Sequence, residues 1–247
     1  MKIALIGYGA MGKLIRTLAE EKGHEIAVLC GSPRVSESET SDLSVTPLFT
    51  RGLPQPEELA GVDVAIDFSS AEAVKRNVEA CVAAGVPLVE GTTGWNDQRA
   101  RIEQIVLDGN GAMVFGANFS IGVNLLYRIV AHAAELIAKF HEYEAFIEEQ
   151  HHSRKKDAPS GTALKLKEII AEHVKSDFSV SSTRAGNIPG THTVGFDGPA
   201  DQILLEHNAR SREGFSSGAI LAAEWIVGKK GFYEFTEVIN EICRGRT

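Results

Sequence analysis

The chain has 247 residues, 43% of them apolar and 23% charged. That is ordinary globular composition for one large or two small domains, and it excludes a disordered chain, a collagen and a coiled-coil rod. Lys and Arg number 25 against 33 Asp and Glu, a formal charge of −8, which argues against nucleic acid as a partner; no apolar run approaches the ~18 residues of a membrane span.

Residues 2–6, KIALI, form a short apolar run that ends at a glycine turn and predicts a first strand. A helical pattern follows, with Met11, Leu14, Ile15 and Leu18 three and four apart. It stops near Gly23, a suitable C-terminal cap. The early glycines, then Lys13 and Arg16, interrupt the core of any signal peptide, so the start reads as mature sequence. EIAVLC (25–30), DVAIDF (63–68), VPLVEG (86–91) and AMVFG (112–116) predict further buried strands. Helices are predicted over 71–84 and about 96–107. This alternation predicts an α/β domain over 1–119, a Rossmann-like doubly wound parallel sheet.

The pattern changes after Phe119. A helix is predicted over 121–139 and another over about 162–174. EYEAFIEEQ (142–150), THTVGFD (191–197) and DQILLEH (201–207) predict longer, partly alternating strands. Residues 120–214 therefore read as a second, α+β domain with a mixed sheet. A helical stretch over about 217–227 and the tail, 215–247 in all, are expected to complete the first domain.

Gly7-Tyr8-Gly9-Ala10-Met11-Gly12 fits G-x-G-x-x-G between a strand and a helix. Gly7 allows the tight turn, Gly9 lets a pyrophosphate approach, and Gly12 lets helix and strand pack closely. The helix N-terminus offers free N–H groups to that phosphate. The second strand runs into Cys30-Gly31-Ser32-Pro33-Arg34, with no acidic residue before Glu37. Ser32 and Arg34 are thus candidates for a ribose 2′-phosphate, and NADPH is expected to be accepted at least as well as NADH. Gly91, Thr92 and Thr93, and Gly116, Ala117, Asn118 and Phe119, follow the fourth and fifth strands, where ligands of open α/β sheets bind. Their residue types suit a nicotinamide site and ordinary turns equally. Cys30, Cys81 and Cys243 are odd in number, far apart and match no metal spacing. They read as reduced thiols of a cytoplasmic protein.

The segment His151-His152-Ser153-Arg154-Lys155-Lys156-Asp157-Ala158-Pro159-Ser160-Gly161-Thr162-Ala163 carries two histidines and three cations within six residues. Imidazoles exchange protons near neutral pH, and cations attract anions. Ser160 suits the N-cap of the next helix, with Gly161 and Thr162 in its first turn. Such a site fits a small carboxylate. A solvated basic loop is the other reading; a metal site lacks partners at suitable spacing.

The chain resembles the 4-hydroxy-tetrahydrodipicolinate reductase (dihydrodipicolinate reductase) family over essentially its whole length. The likeness rests on GYGAMG, IDFSS (66–70), EGTTGW (90–95), GANFSIGVN (116–124), RAGNIPGTHTVGF (184–196) and above all EQHHSRKKDAPSGTA. It implies reduction of a cyclic imine dicarboxylate with NADPH or NADH and loss of the 4-hydroxyl as water, in lysine biosynthesis through diaminopimelate. By similarity His151 gives or takes a proton and Lys155 is a second donor. His152, Gly161 and Thr162 would hold the substrate carboxylates. Residues 7–12, 91–93 and 116–119 would contact the cofactor, 120–214 would be the substrate-binding and oligomerisation domain, and the assembly would be a cytoplasmic homotetramer. The chain departs from the family at the end of its second strand, which lacks the usual acidic residue, and at Ala10 and Lys156. The same residues are also compatible with another NAD(P)-dependent oxidoreductase acting on a small carboxylate, or with a non-catalytic NAD(P)H-binding module.

Overall fold

Short apolar runs separated by helices set up the first sheet. In chain order these are β1 (Lys2–Ile6), α1 (Ala10–Glu21), β2 (Glu25–Gly31), β3 (Leu48–Arg51), β4 (Val64–Asp67), α2 (Ala71–Ala84), β5 (Leu88–Glu90), α3 (Arg99–Asp108) and β6 (Ala112–Phe115). Then come α4 (Ile121–Ile137), β7 (Glu144–His151), α5 (Gly161–His173), β8 (Ser179–Arg184), β9 (Thr191–Asp197) and β10 (Gln202–Asn208). The chain ends with α6 (Glu213–Ile226), β11 (Gly231–Glu234) and α7 (Phe235–Cys243). The structure is a computed structural model that describes residues 1–31, 48–52 and 54–245. Ser32 and Arg34 lie outside the described residues.

Two compact units result: Met1–Phe119 with Phe215–Thr247, and Ser120–Gly214. The first holds a seven-stranded sheet in the order β11-β6-β5-β4-β1-β2-β3, every neighbouring pair parallel. The order steps outward in both directions from β1 and β4, as in a doubly wound sheet. All of Ile3, Ala4, Leu5 and Ile6 are buried, because a central parallel strand is covered on both faces. On one face Ala4, Ile6, Leu88 and Met113 meet Val74, Val78 and Cys81 of α2 and Ile102 and Val106 of α3.

The second unit holds a four-stranded sheet in the order β10-β9-β7-β8. β7 runs parallel to β8 and antiparallel to β9, so the sheet is mixed. Ala145 and Ile147 of β7 and Val194 and Phe196 of β9 pack against Val123, Leu126, Tyr127 and Val130 of α4 and Ala163, Leu166 and Ile170 of α5. The spacings of three and four on each helix and of two on each strand are those of one buried face.

The doubly wound sheet and the second, mixed sheet agree with the fold class read from sequence. β3, β8, β11 and α7 were not legible there. β8 reads SVSSTR and is largely exposed, so it lacks apolar alternation. β3 and β11 are short edge strands of four residues each. Among the described residues no helix is long and apolar enough to cross a membrane.

Candidate functional site

The glycine loop of the first unit is shaped by sterics. Gly7 has φ +89°, and a Cβ there would lie 2.4 Å from the Phe68 carbonyl oxygen. A Cβ on Gly12 would lie 2.2 Å from the Gly7 carbonyl oxygen. At Gly9 a Cβ would meet nothing within 4 Å, so that backbone faces open space. Gly12→Ala should destabilise the protein by about 1–3 kcal/mol through overpacking. The denaturant midpoint reads this, and an unchanged midpoint would remove the packing role.

Gly9, Ala10 and Met11 line an open groove of about 390 Å³ together with Phe68, Ser69, Ser70, Ala71, Gly91, Thr92 and Thr93. The groove lies at the carboxyl ends of β1, β4 and β5, where such sheets take ligands. Gly91 leaves room for the Phe68 ring, which a Cβ would meet at 2.2 Å. Ser69 N–H donates to Thr92 Oγ1 at 3.1 Å, and Trp95 Nε1 donates to the Thr92 carbonyl at 2.7 Å, so the loops brace one another. Gly7, Tyr8 and Gly12 shape the loop without lining the groove. Gly116, Ala117, Asn118 and Phe119 follow β6 and do not line it either. Phe119 is buried, its ring centroid 4.7 Å from Phe235 and 6.0 Å from Phe68. A dinucleotide fits this cradle: backbone open at Gly9 beside the start of α1, and hydroxyls at Ser69, Ser70, Thr92 and Thr93.

In the second unit a polar layer sits at the end of the core. Period two places Ala145, Ile147, Glu149 and His151 of β7 on one face. The first two fill the core; the last two are polar yet buried. Pairing sets Glu149 beside Ser182 of β8 and His192 of β9, and His151 beside Arg184. Arg184 Nη2 donates to Glu149 Oε1 at 2.6 Å, Ser182 Oγ donates to the same oxygen at 2.7 Å, and Ser160 N–H donates to it at 2.9 Å. Glu149 Oε2 faces His151 Nδ1 at 3.5 Å and His192 Nε2 at 3.6 Å. Ser160 caps α5 by accepting the Ala163 N–H, and its Oγ is 3.1 Å from His192 Nε2.

The basic loop is tied at several points. Arg184 Nη2 also reaches the Asp157 carbonyl at 2.6 Å, and Ser153 N–H donates to the Gly186 carbonyl at 3.2 Å. Arg154 Nη1 donates to Asn187 Oδ1 at 3.0 Å, and Lys155 Nζ pairs with Asp157 at 2.8 Å. The Ala158–Pro159 peptide is cis. Gly190, at φ +148°, lets the chain pass His151: a Cβ there would be 3.2 Å from its Nε2.

Charge follows this geometry. Burial opposes the Glu149 anion, but hydrogen bonds from Ser160, Arg184 and Ser182 outweigh it and bring the carboxyl down to about 2. Burial pushes His151 below its ordinary value; Glu149 opposes this, and Lys155 and Arg184 add to it. Burial, with the neighbouring His151, takes His192 down to about 4. Both imidazoles are therefore mainly neutral at pH 7 in the free protein, unlike the poised titration that sequence suggests for the loop. Glu149, His151 and His192 each present a ligand atom within 4.8 Å of the others. With the Arg184 guanidinium already on Glu149, a divalent cation would meet a like charge there.

The second unit thus brings His151, Lys155 and the α5 N-terminus at Gly161 and Thr162 around one carboxylate-centred layer. Sequence reading missed Glu149, Arg184, His192 and Ser182. Glu149 stands two residues before His151 in a strand, a signal that was available; the other three needed the strand pairing.

The family description "Dihydrodipicolinate reductase, N-terminus" matches residues 1–119, and "Dihydrodipicolinate reductase, C-terminus" matches 122–239. The chain is 32% identical over 256 residues to 4-hydroxy-tetrahydrodipicolinate reductase of Christiangramia forsetii, covering 99% of this chain and 100% of that one. It is 35% identical over 265 residues to the enzyme of that name from Archaeoglobus fulgidus, covering 97% and 100%. In fold it is similar to a dipicolinate-bound dihydrodipicolinate reductase from Paenisporosarcina sp. TG-14, with TM-score 0.78 at 22% identity over 96% of this chain and 99% of that one. A probable dehydrogenase from Thermotoga maritima shares the fold more distantly, with TM-score 0.64 at 11% identity over 99% and 94%. Matched through both of its units, the chain belongs to the dihydrodipicolinate reductase family.

Proposed function

We propose that the protein reduces 4-hydroxy-tetrahydrodipicolinate to tetrahydrodipicolinate with loss of water, in lysine biosynthesis, using a nicotinamide cofactor. Family membership across both units favours this over a different carboxylate oxidoreductase or a cofactor sensor. The carrying observation is the layer in which Glu149 accepts from the N-cap of α5 and lies 3.5 Å from His151 Nδ1.

When bound, the cofactor supplies the hydride. The protein's own residues do the rest. Gly9 and the first turn of α1 receive the pyrophosphate, and Thr92 and Thr93 offer hydroxyls along the groove. The substrate's carboxylates meet His152, Gly161 and Thr162, where the helix terminus favours negative charge. His151 and Lys155 provide the proton. Lys155 is held near the loop by Asp157, whose carboxyl it keeps below the usual range through their hydrogen bond. The Glu149 anion, 3.5 Å from His151 Nδ1, favours the protonated ring.

A coupled assay on the synthase-generated substrate tests the reading, with absorbance at the reduced-nicotinamide band and each cofactor varied. Turnover is expected with both cofactors, with a KM for NADPH no higher than for NADH. No turnover would overturn the activity, and a large NADH preference would overturn the cofactor part. Thr162→Val should raise the substrate KM about tenfold, the cost of one charge-assisted hydrogen bond, and lower kcat less. An unchanged KM would remove the α5 start from carboxylate binding.

A further inference from the structure

Beneath the groove of the first unit lie two carboxyl groups that the proposed reaction does not use. Asp67 ends β4 and Glu90 ends β5, and the two are partners across the parallel pair. Both are fully buried. Asp67 Oδ1 accepts the Ser69 N–H at 2.8 Å, and its Oδ2 accepts Asn77 Nδ2 at 2.6 Å. Glu90 Oε1 accepts the Thr92 N–H at 2.7 Å. Glu90 Oε2 is buried and takes no donor among the described residues, and the strand pairing sets the Glu90 carboxyl beside Asp67. Two ionised carboxylates side by side away from water repel each other and lose hydration. One proton on Glu90 Oε2 removes the second charge and supplies the missing bond.

We propose that Asp67 and Glu90 hold one proton between them, on Glu90 Oε2, and that this shared proton latches together the two loops that line the cofactor groove, residues 68–71 and 91–93. The inference rests on the groove being the cofactor site. Each carboxyl holds the backbone of a groove-lining residue, Ser69 from Asp67 and Thr92 from Glu90. Burial and the Asp67 charge hold Glu90 well above the usual carboxylate range, and burial raises Asp67 as well. Among the described residues, the titratable groups facing the pair are thiols: Cys81 from α2 and Cys30 from β2, with Glu58 beyond Cys30. Burial raises both thiols, Cys30 to about 12, so they stay neutral. Glu90 and Asp67 are positioning residues: they act on the cofactor through Ser69 and Thr92.

NADPH binding to the purified protein, followed by its fluorescence at neutral pH, tests the latch. Infrared spectroscopy of the same samples tests the proton. Glu90→Ala leaves the Thr92 N–H without its acceptor and Asp67 without the shared proton, and should weaken NADPH binding about tenfold. Glu90→Gln accepts from Thr92 and donates its amide to Asp67, so it should restore binding to within about twofold of wild type. The wild type should show the carbonyl stretch of a protonated carboxyl, and Glu90→Gln should lack it. Asp67→Asn keeps one acceptor but sets its NH2 against either the Ser69 or the Asn77 donor, so it should weaken binding as well. Wild-type affinity in Glu90→Ala would overturn the latch. Failure of Glu90→Gln to restore binding, or a wild type without the protonated band, would overturn the shared proton. A wild type that binds neither NADPH nor NADH would instead overturn the cofactor reading of the groove, and the infrared band would still decide the proton.

Discussion

Replacing His151 by Ala is expected to lower kcat by about 10²-fold or more, the contribution of a positioned general acid. Lys155→Ala should fall in the same range. Steady-state kinetics with saturating cofactor reads both, and wild-type turnover in either variant would remove that residue from the mechanism. The pH profile separates the two. Burial holds His151 below its ordinary value in the free protein, so its protonated fraction falls as pH rises through a value under 6.5. If His151 is the donor, kcat/KM falls along that alkaline limb. A dianionic substrate beside the ring favours the cation and moves the limb of kcat to higher pH. Coincident limbs would mean that the substrate's charge does not reach this ring.

Replacing Glu149 by Ala is expected to cost about 3 kcal/mol of stability, because it leaves the partly buried Arg184 guanidinium without its carboxylate. Ser160 N–H and Ser182 Oγ also lose their acceptor. The urea midpoint measures the loss; a shift near zero would mean that water replaces the carboxylate at no cost. Glu149→Gln keeps an acceptor for Ser160 and isolates the charge. In the wild type the folded carboxyl titrates at about 2 against an ordinary 4.5. The unfolded chain therefore takes up the proton first. This contribution is complete above about pH 4.5 and is lost as pH falls toward about 2. Glu149→Gln should lack that acid-side loss, and an identical acid profile would place the pH sensitivity elsewhere.

Much of the fold was legible because its strands are central and buried. KIALI, EIAVLC and AMVFG are runs that water excludes whichever face they show. The glycine loop was legible because its backbone packs too closely for a side chain: a Cβ on Gly12 would lie 2.2 Å from the Gly7 carbonyl oxygen. The Ser160 cap was legible because N-capping is local chemistry. Pairing was not legible. Nothing in SVSSTR says that its Ser182 and Arg184 turn inward to meet Glu149; that follows from the register of β8 on β7. Asp67 and Glu90 were hidden for the same reason, since each sits alone at the end of an apolar strand. Parallel pairing with a segment about twenty residues away makes them a pair.

The excursion that leaves β7 at His151 and returns at Ser160 is fastened at both ends by Glu149, Arg184 and the Gly186 carbonyl. Its disorder is therefore given up when the chain folds and not when a ligand arrives. Recognition by this segment then carries little configurational penalty, so even a molecule with few atoms has enough contacts to bind.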